Sequence, residues 1–172
     1  MSIENARIGH GFDVHKFSEQ FDSDKPLILA GVTLPEQKTL LAHSDGDVVL
    51  HAVCDAILGA SAAGDIGLHF PNSDAEFAGI ASTELLRKVL KIAHSKGLHP
   101  INIDVTVVAQ LPKLSPYRQQ MVASLSNLLQ LADDRVNLKA TTTEGLGYIG
   151  REEGIACHAV VLMCRTTRGS AS

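Results

Sequence analysis

The stretch Arg7-Ile-Gly-His-Gly-Phe-Asp-Val-His15 reads as an extended strand, and its two-residue period sends Asp13 and His15 out from one face. His10 has the opposite parity and belongs to the other face. An Asp-x-His pair is common by chance, so its weight comes from a second segment, His43-Ser-Asp-Gly-Asp-Val-Val-Leu-His51-Ala-Val-Cys-Asp55. There Asp47, His51 and Asp55 recur at i, i+4 and i+8 as one polar edge of a helix. Val48, Val49, Ala52, Val53, Ala56, Ile57 and Ala60 make its broad apolar face. His51 therefore sits beside a buried seam, where it can join Asp13 and His15. Two imidazoles and one carboxylate suit a catalytic zinc, because three ligands leave a fourth tetrahedral position open. Ser44 followed by Asp47 predicts a capping-box-like helix start, whose free N–H groups would favour a phosphate.

The 172 residues, 45% of them hydrophobic, predict one globular domain over 1–172 with a core that needs neither disulfide nor metal to form. A formal charge of −4 argues against nucleic acid as a partner. Cys54, Cys157 and Cys164 are odd in number, lie in apolar stretches and lack C-x-x-C spacing, which predicts buried thiols in a reducing compartment. No signal peptide opens the chain and no apolar run approaches the ~20 residues that span a bilayer, so a cytoplasmic protein without membrane contact is expected.

Outward from the two motifs, a second short strand is predicted over Leu27 to Leu34, giving a hairpin-like start. Gly64-Asp65-Ile66-Gly67 ends the first helix, and the stretch to Gly79 reads as a long functional loop. A second helix runs from about Ser82 to Lys96, with Leu85, Leu86, Val89, Leu90 and Ala93 inward and Gly97 as its stop. Strands follow at Ile101 to Ala109 and Val136 to Ala140, separated by a helix that Ser115-Pro116 should start and Leu131 end. Ile155 to Cys164 is almost wholly apolar, which predicts a strand buried on both faces, either centrally in the sheet or against another subunit. The tail, 166–172, is expected to fray.

Five segments in order, Ile8-Gly-His-Gly-Phe-Asp-Val-His15, Leu41-Ala-His-Ser-Asp-Gly-Asp47, Gly64-Asp-Ile-Gly67, Ala109-Gln-x-Pro-Lys113 and Ala140-Thr-Thr-Thr-Glu-x-Leu-Gly147, resemble the 2-C-methyl-D-erythritol 2,4-cyclodiphosphate synthases. The resemblance runs from about Arg7 to Arg165. It implies an α+β fold, a four-stranded mixed sheet with helices on one face and a short N-terminal β-hairpin-like extension, with three sheets packed together in a homotrimer. It also implies the reaction: in the non-mevalonate isoprenoid route, 4-diphosphocytidyl-2-C-methyl-D-erythritol 2-phosphate closes on itself and releases CMP.

The resemblance further assigns residues. Asp13, His15 and His51 would hold one zinc per subunit, and Glu144 would hold Mg2+ or Mn2+ against the substrate diphosphate. His43 and Thr142 match groups that stabilise the transition state, and Ser44 the 2-phosphate end. Asp13, His15, Asp55 and the loop Phe70, Pro71, Asn72, Ser73, Asp74 would contact substrate, and Asp65, Ile66 and Gly67 would take the ribose. Ala109, Gln110, Leu111, Pro112, Lys113, Leu114 and Ser115 match the cytosine and diphosphate wall. Thr141, Thr143, Tyr148 and Arg151 complete the set.

His94 and His99 read as surface residues, and His69 as a loop residue flanking substrate. His158 interrupts the last apolar strand where the family commonly carries an acid. With Arg151 it would face a cavity on the trimer axis that takes an anion or an isoprenoid diphosphate, or else it is a neutral histidine satisfied by one backbone group. Active sites between subunits are implied as well. Two other readings of the same residues are a zinc-dependent phosphoesterase and a non-catalytic metal-binding trimer.

Overall fold

A computed structural model of the chain describes residues 3–71, 74, 77 and 79–165. Asn72, Ser73 and the 166–172 tail lie outside the described residues. Three long strands, β1 (Ala6–Lys16), β4 (Leu98–Val108) and β6 (Gly154–Arg165), join β5 (Val136–Thr141) in a sheet of order β1-β6-β4-β5, with β-branched residues concentrated in β4. The β1/β6 and β6/β4 pairs are antiparallel and β4/β5 is parallel, so the sheet is mixed.

Helices α1 (Val48–Ala60), α3 (Ser82–Ser95) and α4 (Arg118–Leu129) cover one face, α1 lying over β1 and β6, α3 against β4 and α1, and α4 against β5. The core between these layers holds Leu50, Ile57, Leu86, Val105, Leu125, Leu138 and Val161. Short helices α2 (Ile66–His69) and α5 (Gly147–Gly150) follow α1 and β5. The fold class and the one-sided helical layer agree with the sequence reading.

Three local features differ from the sequence reading. Leu27 to Leu34 is not one strand but a small hairpin of β2 (Ile28–Leu29) and β3 (Val32–Thr33), turned at Ala30 and Gly31, both with positive φ. It follows β1 as a separate two-stranded sheet. The cap of α1 is Asp47, not Ser44: its carboxylate accepts the Val49 and Leu50 N–H groups, and also those of Ala30 and Gly31. One buried side chain thus starts the helix and pins the hairpin turn. Helix α4 starts at Arg118, and Ser115 and Pro116 lie in the preceding turn. Strand β6 is central, yet within one chain only one face is covered beyond Cys157: Ala159, Val161 and Met163 are buried, while His158 and Val160 are exposed.

The uncovered face also carries Ile8, 74% exposed, with Phe12 and Val14 from β1. His10 joins them as its parity required, its Nε2 3.2 Å from His158 Nδ1. His94 and His99 are exposed and tilted ring against ring. Among the described residues no helix is long and apolar enough to cross a membrane.

Candidate metal centre

Glycines decide where α1 can lie on β1. Gly9 and Gly11 point at the helix, and a Cβ on either would stand 1.8 or 1.9 Å from the Ala56 or Ala52 carbonyl oxygen. This close approach carries His51, next to Ala52, down onto Asp13 and His15, which leave β1 on the same face. Asp13 Oδ2 is 3.0 Å from His51 Nδ1 and 3.0 Å from His15 Nδ1. One ligand atom from each of the three residues lies within 4.8 Å of the others.

The electrostatics are those of a cation site. Burial alone would raise the Asp13 carboxyl, but the His15 and His51 imidazoles beside it outweigh burial and hold the group well below the usual carboxylate range. Burial works against a charged His51, yet Asp13 and the nearby Asp47 and Asp45 leave its imidazole above its ordinary value. His15 Nδ1 lies close to Asp13 but outside hydrogen-bond geometry, so it is a buried polar atom without a partner. Such an atom is costly to bury, and a shared cation would satisfy it. Two nitrogens and a carboxylate oxygen fit zinc, with room for a further ligand from the cleft.

That cleft has a volume of about 380 Å³ and opens beside the three residues. His43 and Ser44 line it from the loop before α1, Ile66 and Gly67 from α2, and Phe70 and Phe77 from beyond α2. Asp65 does not line it. Its carboxylate caps α2 by accepting the Leu68 N–H at 2.9 Å. Asp55 accepts the Ile66 N–H at 2.8 Å, tying α2 to α1, and burial raises its carboxyl. Pro71 and Asp74 are exposed. His69 bonds the Ala63 carbonyl through Nε2 at 2.7 Å.

The remaining expected residues form a second cluster. The Ala109 N–H donates to Thr141 O at 3.0 Å, Gln110 Nε2 is 3.4 Å from Thr143 Oγ1, and Thr142 Oγ1 donates to Glu144 Oε1 at 2.9 Å. Lys113 and Ser115 are exposed there, whereas Pro112 and Leu114 are buried, the Leu114 side chain packing in the core. Tyr148 is exposed and Arg151 pairs with Glu153.

The two clusters do not meet within one chain. Asp13 pairs with Cys157, Cys157 with Val107 and Val107 with Ala140, so three strand spacings, roughly 14 Å, separate the Asp13 strand from the one leading to Thr142 and Glu144. No residue of 109–115 or 141–151 lines the cleft beside Asp13. Two further groups stand at the centre that the sequence does not single out, Asp45 and Ser82. Ser82 is legible only as a helix start, and no periodicity links it to His51, 31 residues away.

The model of the YgbB family matches residues 6–164. The 2-C-methyl-D-erythritol 2,4-cyclodiphosphate synthase of Idiomarina loihiensis is 57% identical over 157 residues, 91% of this chain and 96% of the relative. The bifunctional IspDF of Campylobacter jejuni superimposes with a TM-score of 0.87 at 45% identity, covering 94% of this chain and 42% of that larger one. IspF of Plasmodium falciparum, solved as a CDP complex, gives 0.81 at 34% identity, covering 96% and 100%.

Proposed function

The chain belongs to the YgbB family, and from that premise we propose that it converts 4-diphosphocytidyl-2-C-methyl-D-erythritol 2-phosphate to 2-C-methyl-D-erythritol 2,4-cyclodiphosphate and CMP, a phosphorus–oxygen lyase step of isoprenoid biosynthesis. An oxygen of the 2-phosphate bonds to the β-phosphorus. The bond from that phosphorus to the bridging oxygen breaks, and the bridging oxygen leaves on CMP. The nucleophile is already an anion, so the reaction asks for orientation and charge cancellation instead of a base. The convergence of Asp13, His15 and His51 on one side of an open cleft carries this reading.

Asp13, His15 and His51 would hold zinc, and Glu144 Mg2+ or Mn2+. Such cations, when bound, act as Lewis acids on phosphate oxygens and offset the repulsion between two phosphates. His43, at the cleft wall, and Thr142 donate to the phosphoryl oxygens in the transition state, and Ser44 holds the 2-phosphate end. Asp65 to Gly67 take the ribose hydroxyls, Asp55 the sugar-alcohol end, and backbone groups of Ala109 to Ser115 the cytosine, with Lys113 supplying charge. Phe70 to Asp74, Thr141, Thr143, Tyr148 and Arg151 border the substrate.

Two ions that share one diphosphate would sit close together, whereas the strands that lead to the two clusters lie roughly 14 Å apart. A second copy that brings its Glu144 to the first copy's Asp13 would join the two halves, which supports a homotrimer with shared sites. The uncovered sheet face, with Ile8, Phe12, Val14 and Val160 exposed, supports the same assembly. In that trimer His158, 4.7 Å from the Phe12 ring, lies inside the assembly and with Arg151 borders an axial cavity for an anion or isoprenoid diphosphate. The buried Cys54 and Cys157 suit the cytoplasm.

Phosphorus NMR of the substrate incubated with protein, zinc and magnesium tests the reaction. The expected result is a cyclic diphosphate with one equivalent of CMP. Linear phosphate products would assign the site to hydrolysis instead.

A further inference from the structure

We propose that Asp45 and Ser82 are positioning residues that hold the His51 ring with Nδ1 turned to the cation site, an inference that rests on the metal-holding reading of Asp13, His15 and His51. Ser82 is the first residue of α3 and is fully buried. Its backbone N–H donates to Asp45 Oδ2 at 2.9 Å, and its hydroxyl donates to Asp45 Oδ1 in a short contact. Ala81, the residue before the helix, has no side-chain acceptor, so Asp45 serves in its place from the loop before α1. The Asp47 N–H adds a third donor to the same carboxylate at 3.2 Å.

The direction of the hydrogen bonds follows from what each group can give. An ionised carboxylate only accepts, so the Ser82 proton is committed to Asp45 and Ser82 Oγ turns lone pairs toward His51 Nε2, 3.0 Å away. Nε2 must then be the N–H nitrogen. Ser44 Oγ, also 3.0 Å from Nε2, accepts the Gly46 N–H and offers a second acceptor. Nδ1, which faces Asp13 at 3.0 Å, is thereby the nitrogen that gives up its proton and turns its lone pair to a cation. A ring held through its outer nitrogen keeps its ligand atom aimed, which is what partners behind metal-bound histidines generally do. Neither Asp45 nor Ser82 lines the cleft, so both act through His51.

Zinc affinity, read by competition with a chromophoric chelator, tests this in the unmodified protein, Ser82→Ala, Asp45→Asn and the double variant. Each single change should weaken zinc binding about 10–100-fold. The double variant should be no weaker than the worse single, because both changes cut one path. Ser82→Ala keeps the backbone N–H to Asp45 and introduces the best helix former, so the metal-free melting temperature should hold within about 3 °C. Unchanged zinc affinity in Ser82→Ala, additive losses in the double variant, or a lost affinity that tracks lost metal-free stability would each overturn the relay. If Asp45→Asn does not fold, Ser82→Ala decides alone by affinity against stability. An unmodified protein that binds no zinc removes the metal-holding reading and the relay together, an outcome distinct from tight binding that ignores Ser82.

Discussion

Gly11 of β1 lies so close to Ala52 of α1 that a side chain on it would stand 1.9 Å from the helix carbonyl oxygen. The contact sits two residues before Asp13 and one after His51, so helix–strand packing and ligand convergence are the same event. Gly11→Ala should push α1 off the sheet and cost stability at or above the upper end of the ~1–3 kcal/mol range for overpacking. Urea unfolding and zinc titration of this variant should both shift. A fully stable Gly11→Ala protein with normal zinc binding would show that the helix can sit elsewhere.

His51 and Glu144 should fail differently. His51→Ala removes one of three ligands and should lose both zinc and CMP release. Glu144→Gln leaves Asp13, His15 and His51 untouched, so zinc content should persist while turnover falls by at least tenfold. Metal analysis beside a CMP assay distinguishes the two, and full turnover by either variant would contradict its assigned role.

The separation of the two clusters predicts complementation. Asp13→Ala and Glu144→Gln are each expected to be inactive alone. If sites form between copies, subunits unfolded and reassembled together at equal amounts should regain activity in about a quarter of their sites, the fraction in which random neighbours supply both intact halves. No recovery in verified mixed assemblies would place each site within one chain.

The metal-free protein should show a pH window set by Asp13 and His51. The lowered Asp13 carboxyl contributes stability present above its ordinary value of 3.8 and lost as pH falls below it. The raised His51 imidazole contributes stability fully present below its ordinary 6.5 and lost as pH rises through its folded value. The pair should therefore contribute most between these values. Asp47, which burial pushes up to about 6 against its backbone donors, favours folding at lower pH, but Asp13→Asn shares it and the difference cancels. Urea midpoints of the unmodified protein and Asp13→Asn should diverge most in that window. Curves parallel from pH 3 to 9 would deny the pairing.

Local periodicity makes much of this legible. The two-residue repeat puts Asp13 and His15 on one face and His10 on the other, and the helical repeat puts His51 on a seam, because both patterns are set by backbone geometry within a few residues. The inward face of α3 and the Gly97 stop are equally plain. The Ala30-Gly31 turn is hidden because it lacks the usual Asn-Gly or Asp-Gly signature. Ser44 reads as a cap because Ser and Asp are near-equal acceptors at that position, and only the fold shows Asp47 serving two segments at once.

From its residues alone, this chain determined which side chains leave a strand or helix together, and so which three could share an ion. The tertiary structure alone decided which distant segments meet: Asp45 with Ser82, Asp47 with the hairpin turn, and Glu144 apart from Asp13. The first depends on dihedral repeats that any short window contains. The second depends on strand order and helix docking, where residues tens of positions apart become neighbours or remain separated by whole strands.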